Sequence, residues 1–252
     1  MRNKKNIKSK HLLIIIPAFN EENNIEKVIM RIPRNIEGFK TKILVVDDGS
    51  TDRTSYIAKV AGANYVIKHS KNIGVGGAFR TGIKLSLKLQ PDVIITIDAD
   101  GQFDPIEIPK LLKPIVRGQA DYVIGSRFLA KRKIPNMPKI KKIGNYVVTL
   151  LVSFLSWKKF TDTQSGFRAF TINVAKHFDL RSIPDFTYTQ VTLLQIARKR
   201  KFRIKEIPVS VRYMKNRKSR VVKSIFHYSI RVTAILLLYI LKLLQKLNTM
   251  NN

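Results

Sequence analysis

The chain has 252 residues, with 47 Lys or Arg against 17 Asp or Glu, a formal net charge of +30, 44% hydrophobic residues and no cysteine. Length and apolar content suit one compact α/β domain with a modest extension, and apolar runs recurring throughout exclude an intrinsically disordered chain. The absence of cysteine excludes a disulfide framework, a thiolate nucleophile and a Cys-ligated zinc site, while the charge points to anionic partners: nucleic acid, a negative membrane surface or phosphate-bearing substrates.

The chain opens with basic MRNKKNIKSK, followed by the apolar run Leu12–Ile16, which stops at Pro17. That run is shorter than the ~7–15 residues of a secretory signal core. It reads as a buried strand, and the protein is expected to remain on the cytoplasmic side. Ile43–Val46, Tyr65–Ile67, Val93–Ile97 and Tyr122–Ile124 also read as strands. Amphipathic helices fall between them. Residues 21–32 set Ile25, Val28, Ile29 and Ile32 on one face, and residues 52–61 start from Thr51 or Asp52 and stop at Gly62. Residues 75–89 and 105–116 complete the series. This alternation predicts right-handed crossovers and a mostly parallel sheet flanked by helices, with ligands beyond the carboxyl ends of the strands.

The second half differs. Basic residues crowd Lys131–Lys142, and Ile143–Trp157 is a nearly continuous apolar helix. Residues 187–200 read as a helix, followed by strands over Arg203–Glu206 and Val209–Tyr213. The catalytic domain is expected to span 1–222. In the tail, 223–252, basic residues punctuate Leu and Ile, and the longest uncharged stretch, Val232–Leu241, is about half the ~20 residues needed to cross a bilayer. An amphipathic helix lying on the membrane interface fits this pattern. A helix packed on the domain, or on a second copy in a homo-oligomer, stays open.

The chemistry gathers behind the strands. After the fourth comes Asp98-Ala99-Asp100-Gly101-Gln102. Two carboxylates so close stay ionised together only beside a cation, and hard oxygen donors favour Mg²⁺ or Mn²⁺ shared with phosphate. Gly101 permits a turn that brings the Gln102 carbonyl toward the same ion. Pro17-Ala18-Phe19-Asn20-Glu21 follows the first strand and Asp47-Asp48-Gly49-Ser50-Thr51-Asp52 the second. Their acidic and amide groups suit the N–H groups of a base and ribose hydroxyls, although Asp52 also suits helix capping. Asn72-Ile73-Gly74-Val75-Gly76-Gly77 departs from the dinucleotide glycine pattern, and close helix packing is the expected role of its glycines. The four histidines, His11, His69, His177 and His227, are read as structural.

PAFNEE, VVDDGSTD, KNIGVGGA, DADGQFDP, GSR, DTQSGFRAF and EIPVSVRY occur in this order over roughly residues 12–221. The series resembles the family-2 inverting glycosyltransferases of the GT-A fold, and most of all the dolichyl- or polyprenyl-phosphate hexose synthases, the type of dolichyl-phosphate mannose synthase. The resemblance implies that Pro17, Phe19, Glu21, Val46 and Asp48 hold the base and ribose. Asp98, Ala99, Asp100 and Gln102 would line the diphosphate, with Asp98, Asp100 and Gln102 on the metal. Arg127, Lys141 and Asn145 would meet the acceptor phosphate, and Arg212, Lys218 and Arg220 would close over the diphosphate. Two departures stand out: Gln190 and Val191 replace an acidic residue that relatives often carry, and Lys141 replaces an acceptor-side Arg.

The activity implied is transfer of a hexose from GDP-mannose, UDP-glucose or UDP-N-acetylglucosamine to a dolichyl or polyprenyl phosphate with inversion, on the cytoplasmic face of the cell membrane as a peripheral protein. An ionised phosphate needs positioning by Arg127 and Lys141, not a general base. The rival is transfer to a glycan or cell-surface polysaccharide hydroxyl, which requires a carboxylate base. Asp162 is the candidate. A nucleic-acid-binding role is set aside, because no reader helix or interleaved basic–aromatic face is found.

Overall fold

Strand β1 (Lys10–Ala18) buries its last seven residues without a break, the pattern of a strand covered on both faces. The computed structural model describes residues 10–36, 38–130, 134–213 and 232 and places β1 inside an eight-stranded sheet. On one side lies parallel β3 (Phe39–Asp47), which pairs with parallel β4 (Tyr65–Lys68) and, at its start, with antiparallel β2 (Asn35–Ile36). On the other lies parallel β5 (Val93–Thr96). Next comes β7 (Arg168–Thr171), antiparallel both to β5 and to β6 (Tyr122–Ser126). Strand β8 (Ile204–Pro208) closes the edge parallel to β6.

Alternation along β1 divides the core. Leu13 and Ile15 join a cluster with Phe79 and Ile83 of α3 (Val75–Leu89), Val148 and Val152 of α5 (Lys139–Ser156), and Leu193 and Ile196 of α7 (Thr189–Ala197). Leu12, Ile14 and Ile16 face the opposite layer, with Ile25 and Ile29 of α1 (Ile25–Met30) and Leu111 and Leu112 of α4 (Ile108–Val116). Each such side chain removed from water contributes about 1.5–3 kcal/mol, so the sheet's centre is the rigid part of the molecule. Helices α2 (Thr54–Val60) and α6 (Ile172–Ala175) complete the described set.

The expected alternation is present, with several shifted boundaries. Helix α1 begins at Ile25 because Glu21–Asn24 forms a turn, in which the Glu21 carbonyl accepts from the Asn24 and Ile25 N–H groups at 3.0 and 2.9 Å. Helix α2 begins after Asp52, whose carboxylate accepts from Thr54 N–H at 2.9 Å, and Gly62 at φ +93° ends it in the left-handed conformation anticipated for that glycine. Helix α5 starts four residues before the apolar run, directly after Pro138. The expected strand over 209–213 does not form. Beyond Pro208 the chain leaves the sheet: Val211 makes an isolated bridge to Phe103, and Arg212 N–H donates to the Gln102 carbonyl at 2.9 Å. The tail expected over 223–252 lies outside the described residues apart from Val232, which is helical and buried in the first cluster. Among the described residues no helix is long and apolar enough to cross a membrane.

Candidate active site

Strands β1, β3 and β5 end at one edge of the sheet, where the chain order turns from one side of β1 to the other, and parallel sheets bind ligands at such a point. A cavity of about 280 Å³ opens there, lined by Pro17, Phe19 and Glu21 beyond β1, Asp48 beyond β3, and Asp98, Ala99 and Asp100 beyond β5. Asn72, Gly74 and Val75 supply the opposite wall. Val46, expected at the base, is instead fully buried in the core cluster, because its side chain points into the helix layer below Pro17.

Hydrogen bonds lock the loops that follow β1 and β3 together. Asn20 N–H donates to Ser50 Oγ at 2.9 Å, Thr51 N–H to Asn20 Oδ1 at 2.9 Å, and Glu21 N–H to Thr54 Oγ1 at 2.8 Å. The Asp48 carboxylate accepts from Ile73 N–H at 3.1 Å and Gly74 N–H at 2.7 Å, so it fixes the loop before α3. Gly76 in that helix lies where a Cβ would stand 1.9 Å from the Pro184 carbonyl, which is the close packing expected of these glycines. His69, which is not among the residues lining the cavity, holds Asp48, with Nδ1 2.8 Å from Asp48 Oδ1.

At the other end Asp98 packs on Gly166 so tightly that a Cβ there would lie 2.5 Å from Asp98 Oδ1. Burial and the Asp100 carboxylate push the Asp98 carboxyl up to about 7, against the pull of Arg127, Lys141 and Arg168. Two carboxylates crowded in this way suit a divalent cation with hard oxygen preference. Asp100 is oriented by Gln102, which donates its N–H to Oδ1 at 3.0 Å and its side-chain amide to Oδ2 at 2.5 Å. The Gln102 carbonyl, offered above for the ion, accepts from Arg212 N–H. Arg168 is fully buried. Its guanidinium donates to the Ser165, Thr163 and Thr189 carbonyls and to the Tyr122 hydroxyl, at 2.6–2.7 Å.

The cations expected at the acceptor converge beside Asp98. Arg127 donates through Nε and Nη2 to Asp162 at 2.7 and 2.8 Å and through Nη1 to the Tyr213 hydroxyl at 3.1 Å. Three of its five N–H donors are thereby committed. Burial favours the neutral guanidine, yet the Asp162 charge outweighs it and pushes the Arg127 pKa up. Lys141 Nζ sits 4.6 Å from the centre of the Tyr213 ring. Asn145, on α5, is buried with its Nδ2 lacking any hydrogen-bond partner among the described residues. Asp162 itself is fully buried, and its engagement by Arg127 leaves it unsuited to deprotonate a hydroxyl. Arg212 is exposed at the mouth of a neighbouring groove with Gln102 and Asp104, whereas Lys218 and Arg220 lie outside the described residues.

The profile described as Glycosyl transferase family 2 matches residues 13–178. The chain belongs to that family. This family 2 glycosyltransferase is 35% identical over 221 residues to a UDP-N-acetylglucosamine–dolichyl-phosphate N-acetylglucosaminyltransferase of Methanococcus voltae, covering 81% of this chain and 86% of the relative. It is 30% identical over 204 residues to an undecaprenyl-phosphate mannosyltransferase of Micrococcus luteus, covering 79% and 82%. Among solved structures, glucosyl-3-phosphoglycerate synthase of Mycobacterium tuberculosis, in complex with Mn²⁺, UDP and phosphoglyceric acid, superposes with a TM-score of 0.67. That match is 22% identical and covers 90% of this chain and 78% of the other, so it shows a shared fold.

The site of this glycosyltransferase also gathers Gly166 and Arg168, within DTQSGFRAF, Tyr213, within EIPVSVRY, and His69 beside Asp48. His69 carried no sequence signal, since its partner Asp48 is 21 residues away.

Proposed function

We propose that the protein transfers a hexose from a nucleotide-diphosphate sugar to a dolichyl or polyprenyl phosphate, inverting the anomeric centre. One observation carries this reading: Arg127 and Lys141 meet at Tyr213, beside Asp98, whose rise in pKa their charges oppose. Cations beside a carboxylate pair suit an anionic acceptor next to a metal-bound diphosphate. The names of the relatives agree. A hydroxyl acceptor needs a base, and Arg127 occupies the Asp162 carboxylate.

Asp98 and Asp100 would hold Mg²⁺ or Mn²⁺, which when bound stabilises negative charge on the departing diphosphate. The residues of the chain do the rest. Asp48 and Phe19 orient the base end. Arg127 and Lys141 position and partly neutralise the lipid phosphate, whose oxygen bonds to the anomeric carbon as the bond to the diphosphate oxygen breaks. The electron pair leaves with the diphosphate, so no proton has to be removed from the nucleophile. Preorganised cations favour this charge shift at no reorganisation cost during the step.

Approach to a lipid acceptor fits the outer face of α5, where Ile143, Tyr146, Leu150, Phe154 and Trp157 are all more than half exposed. Lys139, Lys141 and Lys142 flank one end and Lys158 and Lys159 the other. We assign this face to peripheral contact with an anionic cytoplasmic leaflet, to which each basic residue contributes about 1 kcal/mol. Incubation with Mn²⁺, a polyprenyl phosphate and radiolabelled nucleotide sugars tests the reaction. Organic-extractable product, absent with Asp100→Ala, is the expected result. Label passing to a soluble glycan and none to lipid would overturn it.

A further inference from the structure

The base end of the cavity carries a selection device in the hydrogen bonds of one carboxylate. An ionised carboxylate offers about four lone-pair positions, two per oxygen. In Asp48 three are occupied. Oδ1 receives His69 Nδ1 at 2.8 Å and Ile73 N–H at 3.1 Å, and Oδ2 receives Gly74 N–H at 2.7 Å. His69 Nδ1 faces the carboxylate as its donor, and Nε2 is anchored on the other side, 2.9 Å from Thr81 Oγ1. The Asp48 and His69 side chains are 4% and 13% exposed, so bulk water does not compete for these positions. Among the described residues one position of Oδ2 is left without a partner, and Asp48 lines the cavity.

Two bases make different demands on that carboxylate. Guanine presents two adjacent donors, N1–H and the exocyclic N2–H, which a carboxylate grips with both oxygens in parallel. Such a grip requires an open position on Oδ1, and His69 and Ile73 fill both. Uracil presents a single N–H, at N3, between two carbonyls, and one lone pair satisfies it. Guanine bound here would keep one of its two donors without a carboxylate partner.

We propose that His69 is a positioning residue which, by holding Oδ1 of Asp48, makes this cavity selective for uracil over guanine nucleotides. The proposal rests on the nucleotide-sugar reading above and narrows the donor to a UDP-sugar. Calorimetric titration of the full chain with UDP and with GDP, both with Mn²⁺, tests it. UDP is expected to bind at least about tenfold more tightly. His69→Ala opens a position on Oδ1, and the UDP-to-GDP affinity ratio should fall several-fold. His69→Asn can still donate to Oδ1 and should retain most of the ratio. A variant that is merely destabilised lowers both affinities together and leaves the ratio unchanged, which would remove His69 from the account. GDP binding as tightly as UDP to the unmodified protein, a result that needs no variant, overturns the selectivity itself. Failure of both nucleotides to bind would instead remove the nucleotide-sugar reading.

Discussion

Asp162 grips Arg127 at three points: its carboxylate accepts from the Arg127 backbone N–H at 3.0 Å, from Nε at 2.7 Å and from Nη2 at 2.8 Å. Asp162 is in turn seated by Glu206, which accepts from the Asp162 N–H at 2.9 Å and from the Thr161 N–H at 2.8 Å. The guanidinium is therefore held by a carboxylate that is itself held, and its two remaining N–H donors have a fixed direction.

Breaking this pair should affect both stability and turnover. Removing one partner of a buried ion pair costs about 3–5 kcal/mol, so Asp162→Ala should lower the denaturation midpoint strongly. Asp162→Asn keeps the shape and loses the charge. It should fold, and it should raise KM for the lipid phosphate more than KM for the nucleotide sugar. Equal effects on both KM values would count against an acceptor role for Arg127.

Gly166 admits no side chain where it touches Asp98. Gly166→Ala should displace the Asp98 carboxylate and weaken Mn²⁺-dependent nucleotide binding by about tenfold or more, a loss of at least ~1.4 kcal/mol. Circular dichroism should remain that of the unmodified chain. Unchanged Mn²⁺ dependence would mean that Asp98 does not contact the ion.

Among the described residues Arg168 donates to carbonyls and hydroxyls and to no carboxylate. Arg168→Met should destabilise the fold by about 3 kcal/mol or more by leaving several buried acceptors unpaired.

Acid should loosen the sheet edge in a defined way. Hydrogen bonds from the Arg203 side chain, opposed by burial, hold the Asp121 carboxyl below its ordinary 3.8. A depressed carboxyl stabilises the fold above its unfolded value and loses that contribution as pH falls through the folded one. The drop in Tm between about pH 5 and about pH 3 should be smaller in Asp121→Asn than in the unmodified chain. Identical drops would show that the Asp121–Arg203 pair contributes nothing.

The exposed face of α5 gives a membrane prediction. Phe154 and Trp157, with ring centres 6.3 Å apart, are 70% and 90% exposed. Phe154→Ser with Trp157→Ser should reduce flotation with acidic liposomes several-fold while nucleotide binding persists. Unchanged flotation would move the contact elsewhere on the chain.

Local signals carried much of this arrangement. A buried Ile-rich strand running into Asp98-Ala99-Asp100 marks the ligand edge, because parallel strands deliver their loops there. Strand β7 was harder to see. It is four residues long and opens with Arg168, a charge whose burial is compensated by groups from three other segments. The pairing of His69 with Asp48 was invisible for the same reason: it is a tertiary contact with no periodic trace. Residues 209–213 alternate like a strand, yet Val209 N–H meets only the last residue of β6, Ser126, and Arg212 N–H turns away to the Gln102 carbonyl in the loop after β5.

The reversed direction of β7 has a consequence for the site. Because that strand enters the sheet from the ligand edge, the short run before it spans the whole reaction gap, with Asp162 against Arg127 and Gly166 against Asp98. Arg127 and Asp98 thus share one short supporting segment. A substitution that shifts residues 162–166 is therefore expected to disturb Arg127 and Asp98 together.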